Sequence, residues 1–519
     1  MRLSAKIFLI SALSASAAPD ATVTLVPTLT GAADSHFRFT GVNLDFWPST
    51  KSGWGSAGAL NLDLANPNLA ALARGLNGSL LRLGGSPADY LLYETPSNPD
   101  ACSAANLNKT QPTPHGYFCP IWDQAPGQCL TLARWRALLT FAADAGLSLV
   151  LDLNACWGRA SPNAEMDWSL IDGLLVATAA ARGSWGAALW GVEFGNELYS
   201  NIAAPLYGAS MLRLRQRLDA LWPAPARAPV ALGPDAWEND LSPTYYRAML
   251  NASRDASGRS AMHAVTFHDY AEDCCAPTEG NVLNVTCLDA FLTAANWVRD
   301  IAAEYGVRTF NGEGALHAYS GVAGLTNTAL STLYYLHALG TYADNGMGLF
   351  SRQSLIGGDY ELVNRSTFLP TPDYFGLLLW RAIVSSRALA ASIGGAGAAA
   401  AASLRAHAFC AQGGGLAFLL VNFAAAQPLS VALAWPQAPP AGAQAQLYLL
   451  TGVAGFGGAD ASSDLFRIAL NGEVLGLENG ALPALAPRAV AADAPVALPP
   501  ASAAFVVLPG AQAAACAGA

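Results

Sequence analysis

The sequence of 519 residues predicts an α/β protein: a (β/α)8 TIM barrel with a C-terminal β-sandwich domain. Three observations predict it. As far as residue 390, strand-like apolar runs alternate with helical stretches, the pattern of parallel βα units. A stretch over 391–402, mostly Gly and Ala, breaks that rhythm and reads as a linker. Beyond it come short alternating runs punctuated by Gly and Pro, as in a sandwich.

The elements follow in order. Met1-Arg2-Leu3-Ser4-Ala5-Lys6 is basic, Ile7 to Leu13 is apolar, and Ala15-Ser16-Ala17-Ala18 offers small residues for cleavage, so 1–18 reads as a signal peptide. Thr22 to Val26 alternates like a strand, and a strand over 22–27 could join the distant sandwich. The barrel is expected over 36–390, with strands near Phe39 to Phe46, Leu80 to Gly84, Leu147 to Asn154, Trp190 to Glu197, Pro229 to Gly233, Ala264 to Tyr270, Arg308 to Glu313 and Gly346 to Ser354. Helical stretches such as Leu130 to Ala145, Leu206 to Leu221, Leu288 to Tyr305 and Thr326 to Tyr342 fall between them, long enough for right-handed crossovers. The sandwich is expected over 403–519, from runs such as Leu416 to Phe423, Leu429 to Trp435, Gln446 to Leu450 and Ala504 to Leu508. Asn471-Gly472 inside Ile468 to Leu475 marks a type I′ hairpin.

Composition narrows the function classes. A net charge of −10, with Lys6, Lys51 and Lys109 as the lysines, leaves no broad cationic surface for nucleic acid or acidic membranes. Arg213, Arg215 and Arg217 alternate with Leu212, Leu214 and Leu218 and read as a solvated helix face. No run after the leader is long enough to span a bilayer. Nine cysteines in a secretory chain imply several disulfides with a thiol left over, and their grouping disfavours zinc. Cys102, Cys119 and Cys129 share one loop with Cys156 beyond, Cys274, Cys275 and Cys287 share another, and connectivity within these groups is not readable. Sequons at Asn77, Asn108, Asn251, Asn284 and Asn364 agree with secretion. The destination is the medium or cell wall, with lysosome or vacuole as alternatives. No cofactor and no metal are expected, and the chain is expected to be monomeric.

Two segments carry chemistry. Trp190-Gly191-Val192-Glu193-Phe194-Gly195-Asn196-Glu197-Leu198 and Arg308-Thr309-Phe310-Asn311-Gly312-Glu313-Gly314 each run an apolar strand into a carboxylate beside glycine. Strand ends in a barrel point into its mouth, so Glu197 and Glu313 are expected to face each other across one pocket. A carboxyl pair roughly 5 to 5.5 Å apart suits a retaining glycosidase, with one group protonated to cleave the bond and one ionised to attack carbon. Burial and repulsion are expected to raise the acid's pKa.

Leu44-Asp45-Phe46-Trp47-Pro48, Leu81-Arg82-Leu83-Gly84-Gly85-Ser86, Glu193 to Leu198, Ser351-Arg352-Gln353-Ser354-Leu355-Ile356-Gly357-Gly358 and Pro370-Thr371-Pro372-Asp373-Tyr374 together resemble the heparanase-like enzymes, glycoside hydrolase family 79, most of all the plant-type β-glucuronidases. The resemblance runs from Val42 to Arg387. It implies Glu197 as acid/base, Glu313 as nucleophile and Asn196 as a partner for the sugar 2-hydroxyl. It also implies Tyr270 as a hydrogen-bond partner of the nucleophile. Asp45 and Ser86 would touch sugar hydroxyls, with Gln353 lining the same mouth. Amides at Tyr319-Ser320-Gly321 together with Tyr374 would hold a glucuronate carboxylate without committing a full positive charge. Trp47, Trp54 and Trp157 are stacking candidates, while His268 reads first as a buried histidine bonded to backbone. A Cys410 to Cys516 bridge would suit the family's sandwich. The implied function is a secreted β-glucuronidase acting on a glucuronate-containing glycan. An endo-acting heparanase is the alternative, disfavoured by the scarcity of basic subsites, and a catalytically silent carbohydrate-binding protein is another.

Overall fold

Eight parallel strands close on themselves: β1 (Phe39–Asp45), β2 (Leu80–Gly84), β3 (Ser148–Leu153), β4 (Leu189–Phe194), β5 (Val230–Trp237), β6 (Ala264–Tyr270), β7 (Arg308–Ala315) and β8 (Leu349–Arg352). Each pairs with its successor, and β8 returns to β1 through Leu349 opposite Phe39 and Arg352 opposite Val42. The computed structural model describes residues 18–33, 37–107, 128–159, 161, 163–198, 202–237, 242–271, 278–453 and 463–517. The leader through residue 17, Asn108, Cys119, Cys274 and Cys275 lie outside the described residues. β1 and β2 are buried along their whole length. Covered inside by barrel side chains and outside by helices, such strands read as continuous apolar runs rather than alternating ones.

The outer helices start and stop where local chemistry dictates. The helix Leu132–Ala145 begins after Thr131, whose side chain accepts the Arg134 amide at 3.1 Å, and ends at Gly146, left-handed with φ 68°. The helix Pro67–Gly75 is opened by Asn66, which accepts the amides of Asn68 and Leu69, with proline at the first position where no donor is lost.

The second domain is a mostly antiparallel array. The N-terminal strand Ala21–Ala32 lies inside it, antiparallel to Val384–Gly394 and parallel to Leu429–Ala434. Phe418 of strand Leu416–Asn422 packs edge-on against Trp435 at 4.8 Å, so the ladder curls over a second core separate from that of the barrel. Asn471 (φ 51°) and Gly472 (φ 94°) join Ile468–Leu470 to Glu473–Val474, the left-handed pair a type I′ turn needs.

The segment 391–402 is not a linker. The helix Pro372–Ile383 passes directly into the strand Val384–Gly394, whose end pairs Thr22 with Gly394 and Val26 with Ala390, and a short helix Ala398–Ser403 follows. Small side chains there imitate a linker by composition, but ladder bonds to a strand far away in sequence decide the local structure.

At the seam between barrel and second domain, His337 of the helix Ala329–Asp344 places Nδ1 3.1 Å from Nε2 of His407 on the strand Leu404–Ala411. Disulfides join Cys102 to Cys129 and Cys410 to Cys516, and Cys156 and Cys287 are also disulfide-bonded. No helix among the described residues is long and apolar enough to cross a membrane.

Candidate active site

The barrel mouth holds a cavity of about 430 Å³ lined by residues from several strand ends, among them Asp45, Ser86, Asn196, Glu197, Tyr270, Glu313 and Gln353. Glu197 is not the last residue of its strand. β4 stops at Phe194, Gly195 turns left-handed (φ 85°), and Glu197 itself sits at φ 56°. Two buried partners hold that turn: the Asn196 amide donates to Asp89 Oδ2 at 3.0 Å, and the Glu197 amide to the Asp235 carbonyl at 2.9 Å. Glu313, by contrast, lies within β7, where the pairing with β6 slips by one residue between Asn311 and Glu313 and re-aims its side chain.

The two carboxyl groups meet. One oxygen of Glu197, one of Glu313 and a ring nitrogen of His268 lie within 4.8 Å of one another. Two donors converge on Glu313: the Tyr270 hydroxyl on Oε1, and Arg82 Nη1 on Oε2 at 3.0 Å. His268 Nδ1 lies 2.7 Å from Glu197 Oε1, with Nε2 3.4 Å from Asp235 Oδ1. Its ring therefore faces carboxylates on both sides, bonded to Glu197 through Nδ1 and near Asp235 through Nε2. With Nδ1–H donating to Oε1, Oε2 is the oxygen of Glu197 left to take a proton. Burial raises the Glu197 pKa above the usual carboxylate range, and the facing Glu313 adds to it against the opposing pull of His268. Burial alone would lower the His268 pKa, but Glu313, Asp235 and Glu197 together raise it.

Beneath the pocket lies a charge cluster absent from the sequence reading. Arg82, 1% exposed, donates to Glu193 Oε2 (2.6 Å), Asn196 Oδ1 (2.9 Å) and Asp235 Oδ2 (3.0 Å) as well as Glu313, with Asp152 3.6 Å away. One guanidinium cannot neutralise four buried carboxyls. Burial accordingly raises the pKa of Asp152 and Glu193 well above the usual carboxylate range, against the pull of Arg82. Glu197, His268 and Glu313 have the atom types of a cation site, yet their inward oxygens already accept from a guanidinium, a phenol and an imidazole. That donor set supplies the positive charge a metal would bring.

Asp45 Oδ2 accepts from Trp47 Nε1 (3.0 Å) and Gln353 Nε2 (2.7 Å), whereas its buried Oδ1 finds no hydrogen-bond partner among the described residues. Burial and the nearby Glu313 raise the Asp45 pKa to about 7, against Arg82, Gln353 and Trp47.

Two expected residues are elsewhere. Tyr374 is fully buried in the helix Pro372–Ile383, with its hydroxyl on the Leu72 carbonyl at 2.9 Å, because it faces the neighbouring helix Pro67–Gly75. Tyr360 lines the cavity in its place, beside Tyr270 and Tyr319. Gly321 does not line it either: its amide closes a turn onto the Ala318 carbonyl at 2.9 Å, leaving Tyr319 and Ser320 of that loop at the cavity. Of the tryptophans, Trp47 reaches the cavity, Trp54 is buried with Nε1 on Ser320 Oγ at 3.1 Å, and Trp157 packs outside the lining. Trp237 was not foreseen. It stacks on Tyr270 (5.4 Å, 26°) and meets the exposed Tyr319 ring at 6.2 Å.

Two facing carboxyls in the mouth of an eight-stranded barrel are an arrangement that suits a glycoside hydrolase. Residues 22–340 match the glycosyl hydrolase family 79 N-terminal domain, and the chain belongs to that family. It is 26% identical over 402 residues to heparanase-like protein 3 of Arabidopsis thaliana, covering 74% of this chain and 70% of that one. It is also 26% identical over 520 residues to baicalin-β-D-glucuronidase of Scutellaria baicalensis, covering 92% and 90%. The α-L-arabinofuranosidase of Thermotoga maritima superposes with a TM-score of 0.61 at 13% identity, covering 94% of this chain and 99% of that one, a likeness of fold.

Proposed function

We propose that this glycoside hydrolase is a secreted, retaining β-glucuronidase that releases β-linked glucuronic acid from glycans or glycoconjugates. Glu313 attacks C1 while Glu197 gives its proton to the departing oxygen, leaving a glycosyl ester on Glu313. Glu197, now a base, takes a proton from water, the resulting hydroxide attacks C1, and Glu313 departs as carboxylate. The observation that carries this reading is the proximity of the pair, with oxygens within 4.8 Å, where an inverting enzyme needs about 6.5 to 9.5 Å between carboxyls to admit water. The division of donors supports the roles: Arg82 and Tyr270 donate to Glu313, while burial raises the pKa of Glu197. Asn196, Asp45, Ser86 and Gln353 would hold sugar hydroxyls, with Ser320, Tyr319 and Tyr360 towards the carboxylate. Similarity to a glucuronidase over most of both chains supports the choice of sugar.

The roles are tested by replacing each glutamate with Gln and supplying azide with an activated aryl β-glucuronide. Azide replaces the missing base only in the second step. Glu197→Gln should be rescued to the β-glycosyl azide and Glu313→Gln should not; the opposite result would reverse the assignment.

A further inference from the structure

Arg365 stands outside the cavity lining, yet its guanidinium holds the residues on both sides of one that belongs to it. Tyr360, 4% exposed, lines the cavity. Around it, Arg365 Nη1 donates to the Gly358 carbonyl at 2.7 Å and to Glu361 Oε1 at 3.1 Å, and Nη2 donates to Asp359 Oδ1 at 2.9 Å. Glu361 closes the loop from the other side, its Oε1 accepting from the Arg365 amide at 3.0 Å and its Oε2 from the Gly357 amide at 2.8 Å. Residues 357 to 361 are thus fastened to one ion pair. Gly357 (φ 100°) and Gly358 (φ 77°) would otherwise leave this loop freer than most.

The same ion pair reaches a second loop of the pocket. The Asp359 amide donates to the Ser320 carbonyl at 2.6 Å, and Thr326 Oγ1 donates to the Asp359 carbonyl at 2.6 Å. A Cβ on Gly321 would stand 3.0 Å from both Asp359 C and Tyr360 N, so the two loops meet there backbone to backbone. Asp359 therefore sets Ser320 against Tyr360, and Arg365 sets Asp359. Burial raises the Tyr360 pKa well above the ordinary phenol value, with Asp45 and Glu313 adding to it, so its hydroxyl remains a donor. We propose that Arg365 is a positioning residue: acting through Asp359 and Tyr360, it fixes the end of the pocket that receives the substituent on C5 of the sugar. This rests on the orientation that the glucuronidase reading gives the sugar. A pocket wall has to be held to within about 0.5 Å to bond its ligand, and a planar fork spread over three acceptors does so better than a flexible ammonium.

The test measures KM and kcat for an aryl β-glucuronide and the matching aryl β-glucoside in the wild type, Arg365→Met, Arg365→Lys, Tyr360→Phe and the Arg365→Met, Tyr360→Phe double variant. On the better of the two glycosides, KM should rise by about tenfold in Arg365→Met, the scale of one hydrogen bond. The change in kcat should be small, because Arg82 and Tyr270 hold Glu313 from other strands. Arg365→Lys keeps the charge but cannot fork to three acceptors, so its KM should fall between. Once the Tyr360 hydroxyl is gone, removing Arg365 should add little to KM. Effects that multiply in the double variant would overturn the proposal. So would an unchanged KM in Arg365→Met with a lowered thermal midpoint, the mark of an ion pair that only stabilises. If Arg365→Met does not fold, Asp359→Asn cuts the ion pair while keeping the side-chain shape; its KM should also rise, and an unchanged KM there would equally overturn the proposal. The wild-type glucuronide-to-glucoside ratio decides the sugar separately: a ratio near one would sink the glucuronidase reading, while the KM and coupling results on the better glycoside still decide the role of Arg365.

Discussion

Tyr270 does one thing for Glu313 that Arg82 does not. Arg82 is shared among several carboxyls, so its charge is spread, while the Tyr270 hydroxyl donates to Glu313 Oε1. Burial and the facing Glu313 raise the Tyr270 pKa well above the ordinary phenol value, so it stays a donor across the working pH range. Replacing Tyr270 by Phe keeps the ring stacked on Trp237 and removes only that donor. We expect kcat to fall by ~10- to 100-fold, the cost of one lost bond to a charged group, with KM and thermal midpoint nearly unchanged. An unaltered kcat would remove Tyr270 from the machinery. At this scale the sequence was legible where an apolar run leads into a carboxylate beside glycine, which brought Glu197 and Glu313 to one cavity, and illegible where tertiary structure converges. Arg82 stood in a quoted motif, yet nothing local says that a strand-two arginine reaches four carboxyls. Asp235 and Trp237 were hidden behind Gly233-Pro234, which reads as a strand stop, whereas β5 continues through a register shift to Trp237.

Elements were more legible than residues, because buried parallel strands announce themselves as apolar runs whatever packs on them. All eight expected barrel strands occur, with boundaries moved by a few residues, whereas the Gly/Ala segment was misread because pairing with Thr22 to Val26 is non-local. The seam between helix Ala329–Asp344 and strand Leu404–Ala411 was also invisible, although it holds a histidine pair. His337 Nε2 lies 2.9 Å from Asp289 Oδ1, and His407 Nδ1 lies 2.6 Å from Asp344 Oδ2. Arg405 is bonded to Asp289 at 2.6 Å, and Thr341 Oγ1 lies 3.4 Å from His337 Nδ1. If Nε2–H of His337 serves Asp289, its Nδ1 accepts from His407, and a second proton on His337 would set N–H against N–H. Burial lowers the His337 pKa to about 4, with His407 adding to it against Asp289. The unfolded chain, titrating near 6.5, then binds more protons than the folded one below that pH. The contribution is fully present above pH ~6.5 and is lost as pH falls towards about 4, capped at about 3 kcal/mol by ~1.4 kcal/mol per unit. Asp289, lowered by His337 and Arg405 against its burial, loses its share at still lower pH. Thermal midpoints measured from pH 7 to 4 should therefore fall more steeply in the wild type than in His337→Gln. Parallel slopes would show that the pair does not sense pH.

Across the whole molecule, the two domains are tied into one unit by strands that cross between them in sequence. The N-terminal strand Ala21–Ala32 is the first element of the described chain yet lies between Val384–Gly394 and Leu429–Ala434. The chain's other end is fastened differently. Cys516, in the short turn Ala514–Cys516, is bonded to Cys410 on the strand Leu404–Ala411 across a sequence separation of 106. That loop encloses the strands from Leu416–Asn422 to Ser502–Leu508, most of the second domain. In the chain-entropy view, closing a loop of this length removes about 4 to 5 kcal/mol of freedom from the unfolded ensemble, less whatever residual structure that ensemble keeps. The bond also joins the tail to a strand that carries His407, so loss of the bond should reach the seam. Replacing both cysteines by Ala should lower the denaturant midpoint of the whole protein, and heat inactivation should come at a lower temperature although the carboxyl pair lies in the other domain. Activity at 25 °C should persist, because β1 to β8 and their strand-end side chains do not touch the bridge. Peptide mapping under non-reducing conditions verifies that the pair is oxidised in the starting protein. An unchanged midpoint in the double variant, with the bridge intact in the wild type, would mean that hydrogen bonds and the second core hold the tail without it.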